Sequence, residues 1–441
     1  MTGLEQEKTG LGNYFIANYP PFAYWGKEKV PEAMAALNAV PNPATPLGLY
    51  LHIPFCRKRC KFCYFRVYTD KNAKDVSTYL NAIVKEVELL ARTPSVGGRS
   101  LDYVYFGGGT PSYLSADQLK GLMEQLRQIL PWDRAREVAF ECEPGTLQKH
   151  KLEALKEMGV TRLSLGVENF KPDILQFNGR AHLEEEVYRA YGWAREVGFE
   201  QINIDLIAGM VGEDDANWRE CIEKTIAMAP ESVTIYQMEL PYNTTFSKSL
   251  QMADEANEAA PLTIADWPTK RRWVSEAFAA FVAAGYEISS AYTVVKNKAK
   301  TQFVYRDALW TGADMYGTGV ASFGHVGGVH IQNVDTWEAY IEHLDRGELP
   351  LGRAFATTPR DRLIRELVLQ LKKGSLEAAY FRNKFGADIA AEFAAPFAKL
   401  EAGGWLTRTE SGFALTQAGF LQIDRHLPAF FDEQYRGQRY A

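Results

Sequence analysis

The sequence predicts an α/β chain: a partial (β/α)6 parallel barrel with an N-terminal arm and a C-terminal winged-helix-like module. Two observations predict it. Six short β-like runs recur after residue 46, each followed by a helix-like stretch, and alternation of that kind builds a parallel sheet. Six units are too few for the closed eightfold barrel. From residue 358 onward the alternation stops, and two helical stretches precede a hairpin.

In chain order, residues 1–45 are rich in Pro, Asn and aromatics (NYFIANYPPFAYW, then VPNPATP) and read as an irregular arm. Residues 46–290 form the predicted barrel, with strands at Leu49–Ile53, Tyr103–Phe106, Val138–Cys142, Arg162–Val167, Ile202–Ile207 and Val233–Met238. After the fourth strand, Leu183, Val187, Ala190, Ala194 and Val197 recur at steps of four and three, the spacing of one buried helical stripe. The polar segment 243–268 reads as a loop or insertion. Residues 291–357, with the Gly-rich run Gly317 to Gly328, close the core. Residues 358–441 hold the helical TPRDRLIRELVLQLKKG, a second helical stretch and a hairpin around Ser411 and Gly412. In such a fold, function is expected at the C-terminal ends of the strands.

Composition narrows the function classes. At 441 residues and 46% hydrophobic content, the chain can fill a large core and an appended module. A net charge of −6 without a dense basic run speaks against a nucleic-acid partner, so the winged-helix-like module is assigned a structural or lid role. MTGLEQEKTG lacks the basic and apolar regions of a signal peptide, and no stretch approaches the roughly eighteen apolar residues of a membrane span. A cytoplasmic protein is expected. Five cysteines, three of them within eight residues, make no disulfide framework and fit a reducing compartment. The 12% aromatic content suits a planar or apolar small-molecule substrate, although aromatics also fill cores.

The strongest local pattern is Cys56-Arg-Lys-Arg-Cys60-Lys-Phe-Cys63, directly after the first strand. Thiolates suit iron–sulfur clusters, and three ligands on one cubane leave one iron open. A zinc knuckle would need a fourth ligand, for which His52, inside the strand, is the near candidate. Gly107, Gly108 and Gly109 end the second strand, where missing side chains let the backbone approach a ligand. Asp205 stands among apolar neighbours in the fifth strand and must be paired or face a ligand. Arg180 offers a planar fork for a carboxylate.

The cysteine motif, with LYLHIPFC, YFGGGTPSYL, FECEPGT, RLSLGVENF, NGRAH and NIDLIAG, resembles the radical S-adenosylmethionine (SAM) superfamily. More narrowly, it resembles the branch of the oxygen-independent coproporphyrinogen III oxidases (HemN), the haem chaperone HemW and the class C radical SAM methyltransferases. The likeness is strong over residues 46 to 240, and the C-terminal part resembles the family too. It implies a [4Fe–4S] cluster on Cys56, Cys60 and Cys63 and one SAM, or two. Tyr50 and Phe62 would flank the cluster and SAM. Gly108, Gly109 and Thr110 would meet the methionyl part, Glu141 would contact bound SAM, and Arg180 would take its carboxylate. Asp205 would contact SAM and, with Glu168, serve catalysis. An electron donor such as flavodoxin or ferredoxin and a monomeric state are further expectations of the resemblance.

The chain also departs from the pattern. Position 65 is Phe where the coproporphyrinogen oxidases carry a fourth cysteine, and Glu168 replaces the usual Gln. Where the chaperones carry His-Asn-x-x-Tyr-Trp, this chain reads Tyr305-Arg306-Asp307-Ala308-Leu309-Trp310, which removes the expected haem ligand. Asn18-Tyr19-Pro20 resembles the arm of the oxidase instead. His325 and His330 are the available substitutes for a haem ligand. The expected function is oxidation or C-methylation of a planar, tetrapyrrole-like substrate. The alternatives are a class C methyltransferase using two SAM on a non-porphyrin substrate and a haem chaperone without catalysis.

Overall fold

The computed structural model describes residues 8–12, 14–255 and 263–437. All six anticipated strands form, each within two residues of its expected limits: β1 Leu47–Ile53, β2 Tyr103–Gly108, β3 Glu137–Cys142, β4 Arg162–Glu168, β5 Gln201–Ala208 and β6 Ser232–Gln237. Their cores are runs such as YVYF and INIDLI, in which every second residue, Val104 and Phe106 or Ile202, Ile204 and Leu206, is apolar and buried. Helices follow these strands: α2 Ala73–Ala91, α3 Ala116–Ile129, α4 Lys149–Glu157, the short α5 Pro172–Phe177 with α6 Glu184–Val197, and, after β5, α7 Asp215–Met228. A capping box between Asn72 and Asp75 starts α2, and one between Ser115 and Gln118 starts α3.

Two compact units divide the chain, and they are not collinear with the four segments expected from sequence. One gathers residues 25–205 and 302–356. Within it the strand order is β12-β11-β10-β9-β1-β2-β3-β4-β5, where β9 is Asp314–Thr318, β10 Phe323–Val326, β11 Val329–Asn333 and β12 Leu351–Ala356. Helix α10, Val304–Trp310, precedes β9, and α11, Trp337–Asp345, joins β11 to β12. β1, β2, β3 and β4 pair in parallel, and β9 joins β1 in parallel, so the Gly-rich segment extends the sheet. Glu86 of α2 fastens that segment from below: it is fully buried and accepts from Gly319 N at 2.8 Å, Tyr340 Oη at 2.6 Å and Asn333 Nδ2 at 2.6 Å.

The other unit gathers residues 1–24, 206–301 and 357–441. Part of the arm is tied down in it by buried charge. Tyr14 N and Phe15 N donate to Glu239, Ile16 N donates to Asp424, and the buried Lys372 ammonium bridges Asp424 and the Ile16 carbonyl. Two short strands, β7 Glu287–Ile288 and β8 Thr293–Val295, pair with each other, and β8 also runs antiparallel to β6. The C-terminal part has helix α12 Pro359–Leu371 and a small sheet in the order β13-β15-β14, with β13 Ser375–Glu377, β14 Leu406–Arg408 and β15 Gly412–Leu415. The last two are the hairpin around Ser411 and Gly412.

Three expectations need correction. Residues 30–38 are helix α1, Val30–Asn38, not irregular arm: Pro31 occupies the first turn, where its missing N–H costs nothing, and so opens a helix instead of breaking one. Leu183 is half exposed and caps α6 from outside, so the buried stripe begins at Val187. The segment 243–268 is in part helical, with α8 at Thr245–Glu255 and α9 starting at Trp267; residues 256–262 lie outside the described residues.

Candidate functional site

Strand alternation builds one polar face. Tyr50 pairs with Tyr105 across β1 and β2, and Glu141 pairs with Ser164 across β3 and β4. With a period of two, Tyr50, Tyr105, Glu141, Arg162, Ser164, Gly166, Glu168, Asn203 and Asp205 share that face, while Leu163, Leu165 and Val167 point into the helices. Every candidate residue named from sequence lies in the unit of residues 25–205 and 302–356.

The cysteine loop leaves β1 at this face. Cys56 N donates to the Tyr68 carbonyl at 3.1 Å and Cys63 N to the Cys60 carbonyl at 3.2 Å, which fold the loop back on itself, and Lys61 N donates to the Asn178 carbonyl at 3.0 Å, which ties it to the end of α5. Two donors meet the sulfurs: Thr110 Oγ1 lies 3.4 Å from Cys56 Sγ and Arg180 Nη1 3.5 Å from Cys60 Sγ. Phe62 is half-buried within the loop. Burial pushes the Cys56 thiol up to about 12 and the Cys63 thiol up to about 11, so these sulfurs keep their protons unless a metal replaces them. Among the described residues, no three Cys, His, Asp or Glu side chains converge on one ion position. Three half-buried thiols with hydrogen-bond donors on two of them could hold an iron–sulfur cluster and leave one iron open.

Beside the loop, the strand ends gather three carboxylates and one guanidinium. Tyr105 Oη donates to Glu141 Oε1 at 2.7 Å and Gly108 N to its Oε2 at 3.2 Å. Asp205 accepts from Ser164 Oγ at 2.7 Å and Asn203 Nδ2 at 2.9 Å. Glu168 lies 3.7 Å from Arg180, whose Nη2 also donates to the Gly166 carbonyl. Burial pushes Glu141 and Glu168 each up to about 7 and raises Asp205. Arg180 Nε is buried with no hydrogen-bond partner, a donor left over beside the thiols. Gly108, at φ 110°, makes the turn possible: a Cβ there would stand 2.5 Å from the His52 ring. Gly109 passes so near the backbone of Ile53 to Phe55 that a Cβ would overlap it.

Some members of the site have no mark in the sequence. Tyr105, Ser164 and Asn203 look like ordinary strand residues until register places them on the acids. Tyr305 stacks on Tyr105 with ring centroids 4.3 Å apart, so the segment that replaces the chaperone histidine motif packs against the wall of the site. Glu143, next to the end of β3, is buried, and Arg57 grips it with both Nε at 3.1 Å and Nη2 at 2.5 Å. His325 and His330 are buried in the β10–β11 hairpin with their Nδ1 atoms 3.0 Å apart, and Trp25 stacks on His330. No helix among the described residues is long and apolar enough to cross a membrane.

Comparison with known proteins follows this geometry. Residues 50–225 match the radical SAM superfamily, and residues 357–421 match the HemN C-terminal domain. The chain is 30% identical to the haem chaperone HemW of Bacillus subtilis, over 87% of this chain and 99% of that protein. It is 28% identical to the oxygen-independent coproporphyrinogen III oxidase of Synechocystis, over 97% of this chain and 94% of the relative. The structure of HemN from Escherichia coli superposes with a TM-score of 0.79 at 23% identity, covering 94% of this chain and 96% of that one, and so shares the fold of a partial barrel with a C-terminal module. On the cysteine motif, these matches and this fold, the chain belongs to the radical SAM superfamily, in the branch that contains HemN and HemW.

Proposed function

We propose that this chain is a HemN-like radical SAM enzyme that cleaves SAM at a [4Fe–4S] cluster and oxidises or C-methylates a planar substrate of the tetrapyrrole class. The observation that carries the proposal is the gathering of Glu141, Glu168, Asp205 and Arg180 beside three thiols at the strand ends. The cluster, held by Cys56, Cys60 and Cys63, would supply the reductive cleavage of SAM to a 5′-deoxyadenosyl radical.

The protein's own part is to bind and orient. Arg180 has an unused Nε donor for a carboxylate, and Glu141, aligned by Tyr105 and Gly108, has the form to accept ligand hydroxyls. Three acids, Glu141, Glu168 and Asp205, against two guanidiniums, Arg180 and Arg162, leave an excess of carboxyls that suits a ligand with positive charge, as the sulfonium and amino groups of SAM provide. Glu168, carboxylate rather than amide, adds to that bias. Thr110 and Arg180 donate to the sulfurs and would tune the potential of the cluster. Phe65 leaves the site without the extra thiol of the coproporphyrinogen oxidases, so decarboxylation of coproporphyrinogen is not part of the proposal.

Anaerobically reconstituted protein is expected to hold about four irons and to turn SAM into 5′-deoxyadenosine under dithionite. Cys60→Ala should abolish this; full cleavage by that variant would overturn the assignment. Methyl-labelled SAM separates the branches: S-adenosylhomocysteine with a labelled product marks methyl transfer, including the two-SAM class C reaction, and 5′-deoxyadenosine with an oxidised, unlabelled product, such as one formed with carbon dioxide release, marks oxidation. The similarity to HemW favours a second reading, a haem-holding role without catalysis. Against it, His325 and His330 face each other in the interior rather than a ligand surface. Tight haem binding by the purified protein would restore that reading.

A further inference from the structure

The C-terminal part of the unit of residues 1–24, 206–301 and 357–441 holds a cavity with no counterpart among the sequence motifs. It has a volume of about 450 Å³ and is lined by the helix Ala394–Ala402, the short helix Ile423–His426 and the turn that follows it. That volume is in the range of small-molecule sites. Three cations line it, Lys399, Arg425 and Arg436, and no acid does, in a chain whose net charge is −6. Pro396, Leu400 and Pro428 supply an apolar wall.

Two of the cations lack an acidic partner among the described residues. The Lys399 ammonium has neither a hydrogen bond nor an ion pair there. Arg436 donates from Nε to the Phe431 carbonyl at 2.9 Å and from Nη2 to the Ala429 carbonyl at 3.4 Å, bonds that hold the guanidinium in place and leave its charge uncompensated. His426 is buried and stacks on Trp405 with ring centroids 3.8 Å apart, and its Nε2 has no hydrogen-bond partner among the described residues. Burial, with the positive field of Arg425, Lys399 and Arg271, lowers the His426 imidazole to about 4, so the ring is neutral. The first turn of Ala394–Ala402 carries no acid and no capping side chain, so the positive end of that helix is unopposed as well. Cations gathered around one hollow repel each other until an anion joins them.

We infer that this cavity binds a small organic anion, a carboxylate or a phosphate ester on an apolar body. The arginine forks match the paired oxygens of either head group, Lys399 adds a point charge, and the apolar wall takes the body. All the lining residues lie between Ala395 and Arg436, so the cavity shares none with the strand-end site, and the inference does not depend on the function proposed for that site.

The test is calorimetric titration of the purified full chain with 2-naphthoate and, separately, with 2-naphthyl phosphate. Naphthalene-2-methanol and inorganic phosphate present the body alone and the head alone. At least one naphthyl anion should saturate a single site per chain, more weakly as salt rises, and body or head alone should bind at least about tenfold more weakly. The tighter of the two anions identifies the head group. Lys399→Glu and Arg425→Glu, both at exposed positions, should keep the circular dichroism of the parent and each bind the anion about tenfold more weakly. No saturable binding of either anion, or affinities unchanged in both variants, would overturn the site. Equal affinity for naphthalene-2-methanol would overturn the anionic class of the ligand.

Discussion

Arg180 is the residue on which the site turns, because one planar group serves three neighbours at once: the Gly166 carbonyl, Cys60 Sγ and Glu168. Lysine keeps the charge and loses the fork. Arg180→Lys is therefore expected to weaken SAM binding about tenfold to a hundredfold, the equivalent of one lost charge-assisted hydrogen bond of about 1.5–3 kcal/mol. Its iron content should match the parent; calorimetric titration with SAM and an iron assay check the two halves. Tyr105 acts on Glu141, whose carboxyl burial pushes up to about 7 and whose bond from Tyr105 pulls it down. Binding that uses the Glu141 carboxylate should strengthen as pH rises through about 7. In Tyr105→Phe the same curve should move to higher pH, which SAM titrations from pH 6 to 9 would show.

At the scale of elements, glycine at a strand end and glycine within a helix have opposite consequences. Gly108→Ala places a methyl against the His52 ring in a left-handed turn, and should cost about 1–3 kcal/mol in chemical denaturation. Gly121 lies inside α3 with open space where a methyl would stand, so Gly121→Ala should stabilise by about 0.5–1 kcal/mol in the same assay. The strands were legible because runs of β-branched and aromatic residues repeat between helical stretches, and the cysteine loop because its spacing is local. Cross-strand relations were not. Ser164 meets Asp205 across 41 residues and Arg57 meets Glu143 across 86, so only the register of β3, β4 and β5 tells which acid is paired. Helix α1 was hidden by a proline whose meaning depends on whether it opens a helix or interrupts one.

For the whole molecule, buried titratable groups set the pH of greatest stability. Burial raises Glu86, Glu141, Glu168 and Glu239 each to about 7, and lowers His52 and His426 each to about 4 and His182 to about 2. Each raised acid contributes stability that is complete below its unfolded value near 4.5 and lost as pH climbs to about 7. Each depressed histidine works the other way, losing stability as pH falls below 6.5. Between pH 6.5 and 7.5 these four acids outnumber the buried base that titrates beside them, Lys270, which burial lowers to about 7 and which works against them, so the melting temperature of the ligand-free chain should fall across that interval. A melting temperature that rose there would show that these carboxyls are ionised at little cost. One backbone angle carries a different consequence. Glu168 is held at φ 65°, a conformation that glycine adopts freely and glutamate does not. A lineage of this protein screened for heat resistance alone would therefore drift toward glycine at position 168, becoming hardier as it discards a carboxylate of the proposed site.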